Sequence, residues 1–299
     1  MVRRAPRRGR PWWRSLALKG IGYTTPATIV VAVFFLLPLA LVFWMSANDW
    51  PLLGSPTQNL PENYESIADD QLLRDAISFT LKYTAIITVL LSGIALGLAL
   101  LVQDQRPGVG LMRTAYFLPG AVGFAAASLL FYGFYAENGP LDDILRTVGI
   151  IDEPASWLGS PDKALFSTIA MVIWRFAGFN MLILLTGLQS IPTDVYEAAR
   201  IDGASRWQLL RHITLPLLRP TIALMLVLSI TGSLLAFDQF FILTRGGPDG
   251  STVSIVMVIY REAFTKFNLG YAAAISVVLL VVLVAVNVLQ LRVIGRRRR

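Results

Sequence analysis

The chain has 299 residues, of which 55% are hydrophobic and 15% charged, with a formal net charge of +7. Soluble domains carry about a quarter charged residues, so this balance and the long apolar runs exclude an ordinary soluble protein. They predict an all-α, polytopic membrane protein. The absence of cysteine excludes disulfides, thiolate metal sites and a cysteine nucleophile, and a single histidine leaves no histidine-based metal set.

Residues 1–26 form a basic segment carrying Trp12 and Trp13. Such a segment could be the charged part of a cleaved signal peptide. The apolar run at 27–45 is long enough to span, however, and no small-residue cleavage site follows, so an uncleaved first transmembrane helix is expected, kinked at Pro38. Residues 47–77 are polar and acidic, a second span covers 78–102, and 103–110 is a short loop. A third span at 111–135 is interrupted by Pro119-Gly120, which predicts a bent helix with freed carbonyls. An acidic interval with Trp157 occupies 137–163, and a fourth span covers 164–188.

The stretch 191–220 is polar and carries its own helix punctuation. Pro192 and Thr193 open a short helix with Asp194 in its first turn, where the helix dipole favours an acid. It stops at Asp202-Gly203, because glycine accepts the left-handed conformation of a helix end. Ser205, with Gln208 three residues on, is a capping box for a second helix, which Pro216 is expected to close. Small residues at Ala198, Ala199, Gly203 and Ala204 let another surface approach.

A fifth span is predicted over 220–243. The turn at 245–250 has neither the preceding strand nor the following lysine of a phosphate loop. An interfacial helix over 253–267, a sixth span over 270–291 and a basic tail at 292–299 complete the chain. The transmembrane domain is thus 27–291. With six spans, the termini and the loops on their side hold 18 of the 26 basic residues, which places both termini and the 191–220 loop in the cytoplasm. The positive charge therefore reads as membrane orientation, with no nucleic-acid partner.

EAARIDGA, followed by Leu215-Pro216, resembles the cytoplasmic EAA loop of permease subunits of binding-protein-dependent ABC importers. Glu197, Ala198, Ala199, Asp202, Gly203, Ala204 and Pro216 match that pattern. Leu210 stands where a large aromatic is common, keeping an apolar knob, and Trp207 on the same helix is expected to add apolar contact. The arginine and aromatics before Pro119, the Gly-Gly-Pro after the fifth span, and the segment Tyr260…Phe264…Gly270-Tyr271-Ala272-Ala273-Ala274 resemble the maltose- and glycerol-phosphate-type carbohydrate permeases. The resemblance implies a type I importer fold in the bacterial inner membrane and a carbohydrate-class solute. It also implies a second permease subunit, two ATPase subunits and an extracytoplasmic solute-binding protein. The pattern GxxxxGK[ST] is absent from the chain, so ATP and magnesium are expected in the partner ATPase subunits, with no cofactor here.

His212 with a serine would suggest an intramembrane serine protease, but it falls in the 191–220 loop, away from any span serine. An ion-coupled carrier or channel is the other alternative, and coupling ions usually demand more intramembrane acids than this chain offers. Arg175 lies about 15 Å into the fourth span and Asp238 in the outer part of the fifth. A charge facing lipid costs about 2.5–3.5 kcal/mol, so each needs a cavity or a partner. Two readings stay open: a structural Arg175–Asp238 pair, or a polar solute pathway. In the second, Trp174, Phe237 and Phe240 would offer apolar faces, and Asn180, Gln239, Ser229, Thr231 and Ser233 hydrogen-bonding groups.

Overall fold

The computed structural model describes residues 12–104 and 106–295, most of them helical. The expected basic stretches at 1–11 and 296–299 lie outside the described residues. Helix α1 (Trp12–Val31) continues through a π turn (Ala32–Leu36) into α2 (Leu37–Ser46). Pro38 sits immediately after that wider turn, which absorbs the hydrogen bond its nitrogen cannot give. A two-residue antiparallel ladder, β1 (Asn48–Asp49) on β2 (Thr57–Gln58), and α3 (Leu60–Asp69) follow.

Helix α4 (Gln71–Leu101) starts well before the expected residue 78. Asp70 caps it, accepting from the Leu73 amide at 3.0 Å, and Leu73, Ala76, Thr80 and Tyr83 set up a buried face at helical spacing. At its other end Arg113 donates from Nε and Nη2 to the Val102 carbonyl, at 3.0 and 2.7 Å. That gives a helix-end carbonyl the partner it otherwise lacks.

The third predicted span is two helices, α5 (Val109–Ala121) and α6 (Phe124–Phe134), bent by 95°. Five helices are therefore long and apolar enough to cross a bilayer, or six if the bent pair counts as one span. The polar interval beyond it contains α7 (Pro140–Thr147), stapled by buried Asp142. Asp142 accepts from Trp157 Nε1 at 2.8 Å and from the Asn138 amide at 2.9 Å. Burial works to raise its pKa, but these bonds, one from the Ala155 amide and the Arg146 charge together hold it below the ordinary carboxylate value.

Helix α8 (Pro161–Gln189) leads into α9 (Thr193–Ile201) and α10 (Arg206–Leu209). Here the structure corrects two expectations. Pro216 does not close a helix: α10 passes through a π turn (Leu210–Thr214) into α11 (Leu215–Leu234), giving one continuous rod from Arg206 to Leu234. As at Pro38, the wide turn supplies the carbonyl displacement that proline needs. The rod then ends at Leu234 rather than at 243. The chain breaks at 235–237 and resumes in a π turn, Phe240–Thr244.

Helix α12 (Ile255–Phe264) is a third correction, because it is packed into the protein rather than laid along an interface. Ile255, Met257 and Val258 are buried in one cluster with Leu73, Tyr83 and Tyr271. Helix α13 (Leu269–Gly295) completes the described chain and packs against α2.

Helix α8 sits at the centre, touching α4, α5, α6 and α11. Its approach to α5 depends on Gly178, where a Cβ would overlap the Tyr116 carbonyl. Gly178→Ala should therefore push α5 away and destabilise the protein by about 1–3 kcal/mol or more. Gly97→Ala in α4, where the Cβ meets open space, should be neutral or slightly stabilising. Thermal unfolding of both variants in detergent would check the contrast, and equal melting temperatures would contradict the packing.

Candidate functional site

The α9–α10 turn is closed from both sides. Asp202 ends α9 and Gly203 follows at φ 79°, the left-handed region where glycine costs least. The Gly203 amide donates to the Arg200 carbonyl at 3.1 Å and the Ala204 amide to the Ala199 carbonyl at 3.0 Å, the two bonds of a Schellman end. Ser205 then starts α10 with the capping box expected from its spacing: the Ser205 amide donates to Gln208 Oε1 at 2.7 Å, and the Gln208 amide to Ser205 Oγ at 3.4 Å. Tyr196 Oη and Thr214 Oγ1, 3.1 Å apart, tie α9 to the π turn.

This rigid turn leaves its apolar side chains uncovered. Ile201 is 86% exposed and Trp207 65%. Glu197, Ala198, Asp202 and Gly203 are exposed as well, while Ala199, Ala204, Leu210 and Pro216 are half-buried. Beside the turn a hollow of about 900 Å³ is lined by Glu197, Leu210, Arg106, Arg200, Arg206 and Tyr196, among others. His212 is exposed in the π turn. Ile201 and Tyr196 were not singled out by the sequence, although Ile201 stands inside the matched stretch and Tyr196 directly before it.

Inside the bundle, the sequence-predicted pathway residues divide into separate places. A cavity of about 190 Å³ between α4, α8 and α11 is lined by Asn180, Gln239, Ser229 and Ser233, with Tyr83, Thr88 and Phe176. Ser229 Oγ donates to Asn180 Oδ1 at 3.3 Å, and Gln239 Nε2 donates to Tyr83 Oη at 3.3 Å. Thr231 instead pairs with Asn287 at 3.2 Å. Phe240 is fully buried, edge-on to Tyr83 with ring centroids 5.0 Å apart, and Phe237 stacks on Phe241. Trp174 lies against Phe131. The hydroxyls of Thr84, Thr88 and Ser92, one turn apart along α4, are buried without a hydrogen-bond partner. Their spacing of four was visible in the sequence, but an apolar span hides such a stripe.

Among the described residues Arg175 and Asp238 form no ion pair: Asp238 is exposed, neither has an oppositely charged atom within 4.0 Å, and the Asp238 carboxylate acts on the guanidinium only at longer range. Arg175 Nε instead donates to the Val122 carbonyl at 3.0 Å, at the break between α5 and α6. Its guanidinium carbon lies 4.6 Å from the Phe124 ring centroid and 4.5 Å from that of Phe176. The second break is treated alike. Ser254 Oγ donates to the Ala236 carbonyl at 2.6 Å, and Thr80 Oγ1 accepts from the Ile255 amide at 3.2 Å.

Residues 21–299 match the family described as binding-protein-dependent transport system inner membrane component. The chain belongs to this family. It is 33% identical over 285 residues to the trehalose/maltose transport system permease protein of Thermococcus litoralis, covering 92% of each chain. It is also 32% identical over 275 residues to a lactose transport system permease protein of Rhizobium radiobacter, covering 90% of this chain and 91% of that one. The fold matches a chain in the crystal structure of a bacterial ABC transporter involved in the import of the acidic polysaccharide alginate. That match has a TM-score of 0.82 at 23% identity, over 96% of this chain and 99% of the other.

In this permease, Arg175 is best accounted for by the break it holds. Arg175→Gln should leave the Val122 carbonyl poorly satisfied and cost about 1–3 kcal/mol, whereas Asp238→Asn should leave stability unchanged. Melting temperatures of the purified variants would test this. An equal loss in both, with partial recovery in the double variant, would restore the ion-pair reading.

Proposed function

We propose that this chain is the permease subunit of an ATP-driven importer for a carbohydrate-class solute: a sugar, oligosaccharide, polyol or glycerol-phosphate derivative. The named activities of its relatives, trehalose/maltose and lactose transport, support the solute class. The observation that carries coupling is the turn between α9 and α10, a doubly capped, solvent-exposed element presenting Ile201 and Trp207 beside Glu197. Exposed apolar side chains on a rigid polar turn suit a protein partner.

In this reading the α9–α10 turn is cytoplasmic and receives an ATPase subunit. Two such subunits, which hold ATP and magnesium, work with a second permease subunit and an extracytoplasmic binding protein. The bent α5–α6 pair counts as one span, giving six, and both termini are cytoplasmic. The transmembrane domain runs over 27–291, flanked by basic segments at 1–26 and 292–299. Glu197 engages a basic or donor group on the ATPase. Because α10 and α11 are one rod, a displacement at Trp207 passes directly to the bundle cavity, without a hinge at Pro216.

Uptake into proteoliposomes containing the partner subunits tests the proposal: ATP must drive it, and uptake by this chain alone on an ion gradient would favour a secondary carrier instead. Gly203→Val places a β-branched side chain at φ 79°, straining the turn by about 1–3 kcal/mol, although the space around it is open. It should keep the spans folded, abolish uptake and weaken co-purification of the ATPase. Glu197→Ala should weaken that association by about 1–3 kcal/mol. Normal ATPase binding in both variants would remove the docking role. For topology, a cysteine label near Glu137 should react from outside and one near Arg206 only after permeabilisation.

A further inference from the structure

A second hollow lies at the end of the bundle away from the α9–α10 turn, between α6, the π turn Phe240–Thr244 and α12. Its volume is about 630 Å³, within the range of small-ligand sites. Arg245, Arg261 and Lys266 line it together with Tyr132, Phe241 and Tyr260. In the proposed topology only six basic residues face outside, among 14 of the 19 acids, and three of the six meet here.

The three cations are not equivalent. Lys266 Nζ lies 2.6 Å from Glu262 and is balanced. Arg245 and Arg261 take part in none of the ion pairs among the described residues. Arg261 is nonetheless held against the backbone of the Arg245 turn. Arg245 adopts φ 54° and Gly246 φ 80°, which turns the chain back so that Arg261 Nη2 reaches the Arg245 carbonyl at 3.5 Å. A Cβ on Gly246 would come within 2.7 Å of that same nitrogen, so the glycine makes room for the guanidinium. Thr252 locks the turn, donating from Oγ1 to the Gly247 carbonyl at 2.8 Å and from its amide to the Gly246 carbonyl at 3.2 Å. Two guanidiniums that line one hollow without an acidic partner among the described residues leave positive charge there, which an anion in the hollow would balance. Their planar forks match carboxylate, sulfonate or phosphate oxygens. The aromatic faces of Phe241 and Tyr260 beside them suit the apolar face of a sugar ring.

We infer that this hollow receives the anionic group of an acidic sugar, with Arg245 and Arg261 on the charge and the aromatic wall on the ring. The inference rests on the carbohydrate-import reading and narrows its substrate class to acidic glycans.

The test is equilibrium dialysis of trigalacturonate, and of its uncharged methyl ester, against the assembled transporter in phosphatidylcholine nanodiscs. The acid should bind at least about tenfold more tightly than the ester, and R245Q/R261Q should remove that advantage. R245K/R261K, which keeps the charge but loses the fork, should recover part of it and shows that the site still folds. Equal binding of acid and ester, or acid binding unchanged in R245Q/R261Q, would overturn the inference. So would failure of the acid to bind while phosphatidylglycerol is retained by wild type and lost by R245Q/R261Q, since the occupant would then be a lipid headgroup. The two readings fail separately. Import of a neutral glycan without binding of the acid sinks only this inference. Binding of the acid without ATP-driven uptake of any glycan sinks the import reading and leaves an anion site.

Discussion

A bond between one side chain and one carbonyl organises the middle of this bundle: Arg175 Nε to Val122 O, at 3.0 Å. In a bilayer every backbone polar group needs an internal partner, so a span that breaks must find acceptors and donors elsewhere in the protein. The break between α5 and α6 frees a carbonyl, and the fourth span carries a guanidinium that needs a polar contact. Each satisfies the other, and the rings of Phe124 and Phe176 beside the guanidinium cover its charge with π faces. The second break, at 235–237, is handled with neutral groups. Ser254 reaches the Ala236 carbonyl and Gln239 reaches Tyr83.

These two repaired breaks border the same space. Phe124 and Phe176 beside the first, and Tyr83 and Gln239 beside the second, all line the cavity between α4, α8 and α11. Irregular backbone at membrane depth is tolerated where it is buried in protein or lines a cavity, and here it does both. The cavity is also where the bundle spends its polar side chains, including the unpartnered Thr88 hydroxyl. Its apolar surroundings are tight by contrast, as at Gly178, where α8 and α5 leave no room for a methyl group.

The cavity and the exposed turn are joined by covalent structure. Helix α8 runs from the Arg175 contact to the start of α9, and the Arg206–Leu234 rod runs back from α10 to Ser229 and Ser233. A movement of the turn therefore has two stiff helices to act through, one on each side of the cavity. The second of these stays whole through Pro216 and Pro220, with the π turn at Leu210–Thr214 directly before α11.

Sequence alone determined the membrane class, because apolar runs of bilayer length are a local property that no tertiary contact can reverse. It also determined the α9–α10 turn in detail: the glycine end and the Ser205–Gln208 capping box close within a few residues, so their spacing carries their geometry. The family likeness was legible in the same stretch, and the match over residues 21–299 agrees with it. Tertiary structure decided everything that depends on long-range partners. The sequence left Arg175 and Asp238 open between a structural pair and a solute pathway, because both are charges in spans, and the guanidinium met a carbonyl 53 residues away in the chain instead. Pro216 and the end of the fifth span were misplaced because a π turn costs one backbone bond and leaves no residue signature. Helix α12 looked interfacial because its amphipathic period is the same whether lipid or protein covers the apolar face. Only the packing of α4 and α13 around it settles which, and only packing gathers Asn180, Ser229 and Gln239 around one cavity.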